Sequence, residues 1–573
     1  MRNTGYPSID RVHEIGYKKS EINPIIPPIG VYNLLQLTSN KYRDAVAIDC
    51  LEVQLTYKEI LNKATIVAKA FKVMGVKRRD IISVQTENLW QSVVCFFAAN
   101  RIGATLTYLN SKAEIDEVKH YLNLFESPIL INYARDEKYN ESIKKDTKVK
   151  YIVTIAEDEL NDKDFFTEKK WNKECYISFR ELGAIANLYK KTLSPIQSGK
   201  NDALILFTSG TTGNPKSVVL TNENIVATAI YAKNTTKLGN RVGESTLSVV
   251  PFSYPYGFIT SGLLAYLCGR TTILCPWMSD ENINYYYSKK PNIIFGSPAF
   301  YEMTMRYVKQ NLASVKFGIS GGDFLYESKA EEIINYFKAY GSNINLTNGS
   351  GNAESCGGNT NAFGKNYAPT CVGSPYVGTC AIVINPDTLE ELKYGEEGMY
   401  CVSGKNVFKE YYKEPELTRQ AKFMYKGKEY LKTGTNGILN SDGVFNLTGR
   451  SSRFYIMSSL NKVYLDHVQI IVSAIDIIKE CAIVKKPDND KLYVNKAYII
   501  LKDGIEPTDE TKDEILMKLK EQVTLHNGER AQLKPYEIPS SIEFIKELPR
   551  TIGTEKIDYK PLEEMALEEY KNE

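Results

Sequence analysis

The apolar run Ala203-Leu204-Ile205-Leu206-Phe207 breaks abruptly into Thr208-Ser209-Gly210-Thr211-Thr212-Gly213-Asn214-Pro215-Lys216. A short apolar run ended by turn residues reads as a buried strand. The loop that follows gathers four hydroxyls, two glycines and one lysine between Thr208 and Lys216. Such a loop turns tightly at Gly210 and Gly213 and aims backbone N–H groups, hydroxyls and an ammonium at phosphate oxygens. It is not the phosphate loop of ordinary nucleoside triphosphatases, because Lys216 follows Pro215 where that motif requires glycine.

The rest of the chain narrows the architecture. At 573 residues it is too long for one core, so two or more domains are expected. Apolar runs at Val93 to Ala99, Ile129 to Asn132, Tyr151 to Ile155, Thr246 to Val250, Thr272 to Leu274 and Asn292 to Phe295 alternate with longer amphipathic segments. That alternation predicts parallel sheets covered by helices. Residues 133–200 are charged and rich in Asn and Lys, and read as loops between two sheet layers. The near balance of 71 basic and 69 acidic residues argues against a nucleic-acid or membrane-surface partner. Ten cysteines without a CxxC pair read as reduced thiols, and the absence of a long apolar stretch predicts a cytoplasmic chain with no membrane span.

Further motifs follow the loop in order. They are Pro251-Phe252-Ser253-Tyr254-Pro255-Tyr256-Gly257, Ser320-Gly321-Gly322-Asp323, Asn348-Gly349-Ser350-Gly351-Asn352-Ala353-Glu354, Lys432-Thr433-Gly434-Thr435, Gly449-Arg450 and Leu548-Pro549-Arg550-Thr551 to Lys556. With the Thr208–Lys216 loop, this series resembles the acyl-adenylate-forming (AMP-binding) superfamily over about residues 30 to 565, and most resembles its acyl-CoA synthetases. The resemblance implies an α/β fold. A large N-terminal domain of stacked sheets with flanking helices, residues 1–450, precedes a small mobile α+β C-terminal domain, residues 451–573, with a hinge at Ser452.

It also implies a reaction. ATP adenylates a carboxylic acid to acyl-AMP with release of pyrophosphate, and the acyl group then passes to a thiol, that of CoA or of a carrier protein's phosphopantetheine. Bringing two anions together and neutralising charge at phosphorus needs positioning and electrostatics rather than a nucleophilic side chain. By resemblance Lys556, Thr208 and Glu354 form the catalytic set, with Glu354 as the Mg²⁺ ligand. Thr208, Ser209, Thr211, Thr212 and Lys216, with Gly210 and Gly213 at the turns, would hold the β- and γ-phosphates. Gly321, Gly322, Ser350 and Gly351 would flank adenine, Thr435 would meet the ribose, and Arg450 the ribose or a phosphate. Lys556 would bridge the reacting carboxylate and the α-phosphate. Tyr254, Tyr256, Gly257 and Ser297 would line an apolar acyl or aryl pocket.

Several positions depart from the family pattern. Ser350 stands where an aromatic residue usually stacks on adenine, Ala353 where a Thr is usual, and Thr435 where an aspartate usually receives the ribose hydroxyls. The segment before Lys556, Ile552-Gly553-Thr554-Glu555, is one residue longer than usual. The glycine-rich loop after the hinge reads Ser458-Ser459-Leu460-Asn461, and Tyr254 replaces a frequent His. No aspartate stands in Phe252 to Phe258 to hold an α-ammonium, so a fatty or aryl acid is expected rather than an amino acid. The alternative is a catalytically degenerate relative acting as a nucleotide- or acyl-binding scaffold.

Overall fold

The structure, a computed structural model, describes residues 4–163, 171, 173–196, 198–208, 215–236, 242–322, 325, 327–362, 371–450, 453–457, 462–525, 530–551 and 556–572. Its larger part is built on a helix that cannot stand at a surface. Trp90–Ile102 is mostly apolar and has no polar stripe, and every residue in it except Arg101 is buried. A helix of that kind needs cover on all sides. Two sheets supply much of it.

The first sheet orders its strands Asn345–Asn348, Phe317–Ser320, Ile293–Gly296, Ser245–Ser248, Thr271–Leu274, Val46–Cys50 and Val53–Thr56. All its pairs are parallel except the last. The second runs Glu410–Tyr411, Ser217–Thr221, Asp202–Phe207, Thr105–Tyr108, Ile81–Gln85, Ile129–Tyr133, Tyr151–Ile155 and Tyr176–Ser178. It is parallel beyond its first two pairs. A third, antiparallel sheet holds Cys380–Ile384, Glu397–Ser403, Lys422–Tyr425, Lys428–Leu439 and Phe445–Arg450. The expected α/β class of stacked sheets with flanking helices is what the chain forms.

Local chemistry explains the element ends. The helix Tyr57–Val73 starts at a capping box, with the Glu59 amide donating to Thr56 Oγ1 at 3.2 Å and the Thr56 amide donating back to Glu59 Oε2 at 2.7 Å. Among the sequence runs, Val93 to Ala99 falls inside the buried helix, and the other five fall on strands. Within 133–200 the strand Tyr151–Ile155 matches its apolar run, while the outer strand Tyr176–Ser178 and the helix Glu137–Asp146 depart from the reading as loops. The charge of this stretch belongs to exposed faces of edge elements.

The C-terminal part has its own cores. One gathers Tyr455, Leu465, Val468, Ile483, Ile499 and Leu519, and another Ala482, Tyr498, Leu548 and Leu562. They surround a sheet of Ile478–Asp488, Leu492–Leu501 and Ser541–Phe544. The main core of the larger part runs from Ile26 to Phe445. Among the described residues no helix is long and apolar enough to cross a membrane.

Aromatic rings join the buried helix to the segment that later borders the cleft. Phe96 meets Phe258 at 4.8 Å between centroids, and Tyr108 meets Phe252 at 5.6 Å and Phe258 at 4.6 Å. Pairs of this geometry add about 0.5–1.5 kcal/mol each beyond burial. They fix a π-helical turn, Tyr256–Leu263, a form that often marks functional segments. Gly257 sits where a Cβ would lie 2.2 Å from the Pro251 carbonyl oxygen. Gly257→Ala is therefore expected to destabilise the larger domain by about 1–3 kcal/mol, as overpacking does, read as a lower urea midpoint of its unfolding transition.

Candidate active site

The carboxyl ends of the parallel strands of both sheets open on one cleft of about 2270 Å³. Thr208, Ser297, Gly321 and Gly349 each directly follow a strand and line it. Ligand crevices in open α/β sheets lie outside such ends. The volume exceeds the roughly 300–1,000 Å³ of a single small-molecule site, which leaves room for a nucleotide and a second reactant.

The neck of the Ser/Thr/Gly loop is closed by its backbone. The Thr208 amide donates to the Lys216 carbonyl at 3.1 Å, and the Lys216 amide donates to Thr208 Oγ1 at 3.1 Å. Between them Ser209, Gly210, Thr211, Thr212 and Gly213 lie outside the described residues. The Lys216 ammonium stands 5.2 Å over the ring of Tyr411, on the edge strand paired with Ser217–Thr221. The Tyr411 hydroxyl in turn donates to Glu354 Oε1 at 2.5 Å, a charge-assisted bond to a carboxylate. Burial, and then the Glu354 carboxylate, push the Tyr411 phenol above its ordinary value, so it stays a donor.

Glu354 occupies a single 3₁₀ turn, Ala353–Ser355, capped by Asn352 Oδ1 accepting from the Ser355 amide at 2.8 Å. Its own carbonyl accepts from the Phe408 amide at 2.7 Å. Just before it, a Cβ on Gly351 would lie 2.0 Å from the Gly357 carbonyl oxygen, so only glycine fits. The Ser350 carbonyl accepts from the Asn359 amide at 3.0 Å. Asn352 Nδ2 reaches the Thr433 carbonyl at 3.3 Å and ties this turn to the third sheet. There the Thr435 amide donates to Thr433 Oγ1 at 3.2 Å, and Thr435 is paired in register with Arg450. The Arg450 side chain is outside the described residues, as are Asp323, Ser452 and Ser458 to Asn461.

Gly321 lies over the Tyr256 ring, and Gly322 follows it. A Cβ on Gly321 would come 2.8 Å from it, and Gly322 takes a left-handed φ of +89°. The Tyr256 hydroxyl lies 3.1 Å from the Gly296 carbonyl and 2.9 Å from that of Ile319, which fastens the ring beneath Gly321. Tyr254 is half-buried on the cleft wall, and burial raises its phenol. Ser297 Oγ accepts from the Phe300 amide at 3.3 Å as the N-cap of the helix Pro298–Tyr307. Its hydroxyl therefore already has a structural use.

The smaller domain completes the site. Lys556 brings its Cε within 3.4 Å of where a Gly322 Cβ would lie. Its segment is clamped by the Thr551 amide donating to the Lys556 carbonyl and the Asp558 amide donating to the Pro549 carbonyl, both at 2.8 Å. Behind it the Arg453 guanidinium lies 3.4 Å from the Tyr559 ring centroid and pairs with Asp466. Thr208, Lys216, Gly321, Gly322, Ser350, Gly351, Glu354, Thr435 and Lys556 thus border one cleft, together with Tyr254, Tyr256 and Ser297. Among the described residues no cluster of three or more His, Cys, Asp or Glu is placed to hold a metal ion. Sequence reasoning missed Tyr411, one of 39 tyrosines. Its tie to Glu354 spans 57 residues, and no local pattern announces it.

Comparison with known proteins follows the same lines. Residues 35–412 match the AMP-binding enzyme family and residues 468–553 the AMP-binding enzyme C-terminal domain. The chain is 25% identical over 543 residues to a long-chain-fatty-acid–CoA ligase of Bacillus subtilis, covering 92% of this chain and 93% of the relative. ATP-bound MatB from Rhodopseudomonas palustris shares the fold at TM-score 0.78 and 21% identity, over 94% of this chain and 99% of that one. The anthranilate CoA ligase AuaEII, in complex with anthranoyl-AMP, does so at 0.78 and 20%, over 96% and 99%. With its two matched segments spanning both domains, the chain belongs to the AMP-binding enzyme family and is an acid–thiol ligase of the acyl-CoA synthetase type.

Proposed function

We propose that the protein adenylates a non-amino fatty or aryl acid with ATP and then transfers the acyl group to the thiol of CoA or of a carrier-protein phosphopantetheine. The observation that carries this reading is the meeting of Lys556, from the smaller domain, with Gly322 and the rest of the cleft wall. In the first step a carboxylate oxygen attacks the α-phosphorus, and the bond from phosphorus to the bridging oxygen of pyrophosphate breaks. Lys216 and the loop hydroxyls hold the departing phosphates, and Lys556 draws the carboxylate and the α-phosphate together against their mutual repulsion. In the second step a thiolate attacks the acyl carbonyl carbon and AMP leaves.

The donor set suits ATP and a hard cation. Gly321 and Gly322 allow the backbone close to a flat base, and Glu354 is a carboxylate aimed by a hydroxyl. Glu354 would hold a Mg²⁺ ion, which would supply charge neutralisation beside the phosphates. Tyr411 orients that carboxylate. We take Thr435 and Arg450 as the ribose contacts, Ser350 and Gly351 as neighbours of adenine, and residues 209–213 as the phosphate cradle. The domain junction falls at 450/451, a division that the separate cores on either side support. Ser452 is the pivot between half-reactions, and the enzyme works in the cytoplasm. Similarity to a fatty-acid ligase and to an anthranilate ligase supports an apolar acyl or aryl substrate.

Carboxylate-dependent ATP–pyrophosphate exchange, run on fatty, aryl and amino acids, tests the reading. Exchange with fatty or aryl acids that vanishes in Lys216→Ala is expected, and silence across the panel would favour the degenerate scaffold instead. Lys556→Ala should abolish exchange while sparing thioester formation from supplied acyl-adenylate. Tyr411→Phe should raise the Mg²⁺ concentration for half-maximal exchange by about 10–100-fold, the usual effect of losing a partner behind a metal ligand, with the KM for the acid unchanged. Thr435→Asp should lower the KM for ATP about tenfold by adding a charge-assisted contact to the ribose.

A further inference from the structure

The smaller domain has a core on each face of one sheet. Along the strand Ile478–Asp488, Cys481 and Ile483 join the core that holds Leu465 and Val468, while Ala482 and Val484 join the core that holds Leu548, Ile557 and Leu562. Alternate residues of a strand face opposite ways. The helix Leu465–Ser473 therefore lies on one face, together with Tyr455 and Val463 of the hairpin that follows the hinge. The helix Tyr559–Asn572, three residues after Lys556, lies on the other. The hinge and Lys556 thus belong to different layers, and apolar packing joins them only through the sheet between.

Arg453 crosses that division. It is the first described residue after the hinge, and it is buried. Its guanidinium donates to Asp466 Oδ1 and, at 3.4 Å, to Gln469 Oε1, both on the Leu465–Ser473 helix. It also donates to the Ile483 carbonyl in the sheet. It lies over the Tyr559 ring, 3.4 Å from its centroid, at the start of the second helix. Gln469 Oε1 gathers the same parts again, accepting from the Ile483 amide at 3.3 Å and from the Tyr559 hydroxyl at 3.2 Å.

One side chain can do this because a guanidinium is planar, carries five donors in a fixed fork and stacks on aromatic faces. A lysine ammonium is a point charge and can do only part of it. On the other side of the hinge, the Arg450 backbone is paired in register with Thr435 of the third sheet. Two residues, Ser451 and Ser452, separate a residue held by the larger domain from one held by the smaller.

Resting on the reading that Lys556 serves adenylation from a domain that turns about Ser452, we infer that Arg453 is the positioning residue that carries the turn from the hinge to Lys556. A rotation at the hinge enters the smaller domain at Arg453. Its guanidinium passes that rotation to the helix, to the sheet and, through the Tyr559 ring, to the layer of the lysine. The coupling matters because a misplacement of about 1 Å at a reacting group can cost about 10²-fold in rate.

The test uses full-length protein in Arg453→Lys, Arg453→Met, Tyr559→Leu and the double variant Arg453→Lys with Tyr559→Leu. In each single variant the kcat of carboxylate-dependent ATP–pyrophosphate exchange should fall by about 10–100-fold, with the KM for ATP held within about twofold. Thioester formation from supplied acyl-adenylate, in which Lys556 has no part, should fall by less than about threefold. The double variant should be no worse than the singles, since both remove one link. Hydrogen–deuterium exchange supplies a readout independent of activity. The Thr551 and Asp558 amides, which clamp the lysine segment, should exchange about tenfold faster in the variants, while the strand Leu492–Leu501 keeps its wild-type rates.

Equal losses in both half-reactions, with faster hydrogen exchange throughout the smaller domain, overturn the inference, since Arg453 then only stabilises that domain. Unchanged kcat and unchanged protection of the lysine segment overturn it as well, and leave the adenylating reading standing. A wild-type protein silent in pyrophosphate exchange, whose variants nonetheless loosen Thr551 and Asp558 selectively, keeps the link and overturns the adenylating reading.

Discussion

Everything about the site's position descends from one constraint, the burial of Trp90–Ile102 on all its faces. A helix with no polar stripe forces sheets and helices around it, and their carboxyl-terminal strand ends then face a shared opening. The rings of Phe96, Tyr108, Phe252 and Phe258 carry that packing outward to the π-helical turn. The wall bearing Tyr256 and Thr260 is thus an extension of the core. Its side chains are set by aromatic contacts, so the cleft has a defined shape at that wall without a ligand.

A second consequence concerns charge. The groups that would meet phosphate come from separate supports: Lys216 from a hairpin of the second sheet, Glu354 from a capped 3₁₀ turn, and Lys556 from another domain. Tyr411 couples the first two, since its ring lies beneath the Lys216 ammonium and its hydroxyl bonds the Glu354 carboxylate. A cation and an anion are held apart by one aromatic ring, and both remain available to an incoming phosphate and its counterion. A direct Lys–Glu pair in the same place would consume both.

The reading of the sequence succeeded where chemistry is local and fell short where it is not. The buried strand that ends at Phe207, just before Thr208, is written in consecutive residues, and the structure has it. The α/β class and the family were legible for the same reason. Outside Tyr151 to Ile155, the stretch 133–200 was read as loops because its charge outweighs the three-residue edge strand Tyr176–Ser178. Tyr411 was invisible, since its tie to Glu354 depends on a pairing between distant segments. Ser297 was read as lining the acyl pocket, and the structure adds a use that its neighbours hide, as a helix cap.

The clamp around Lys556 bears on how such a chain can change its length. Both of its backbone bonds, Thr551 to Lys556 and Asp558 to Pro549, join residues outside 552–555. The lysine is thus held above Gly322 by described residues on either side of that segment. A change of chain length between Thr551 and Lys556 carries only the small entropic penalty of a slightly larger closure.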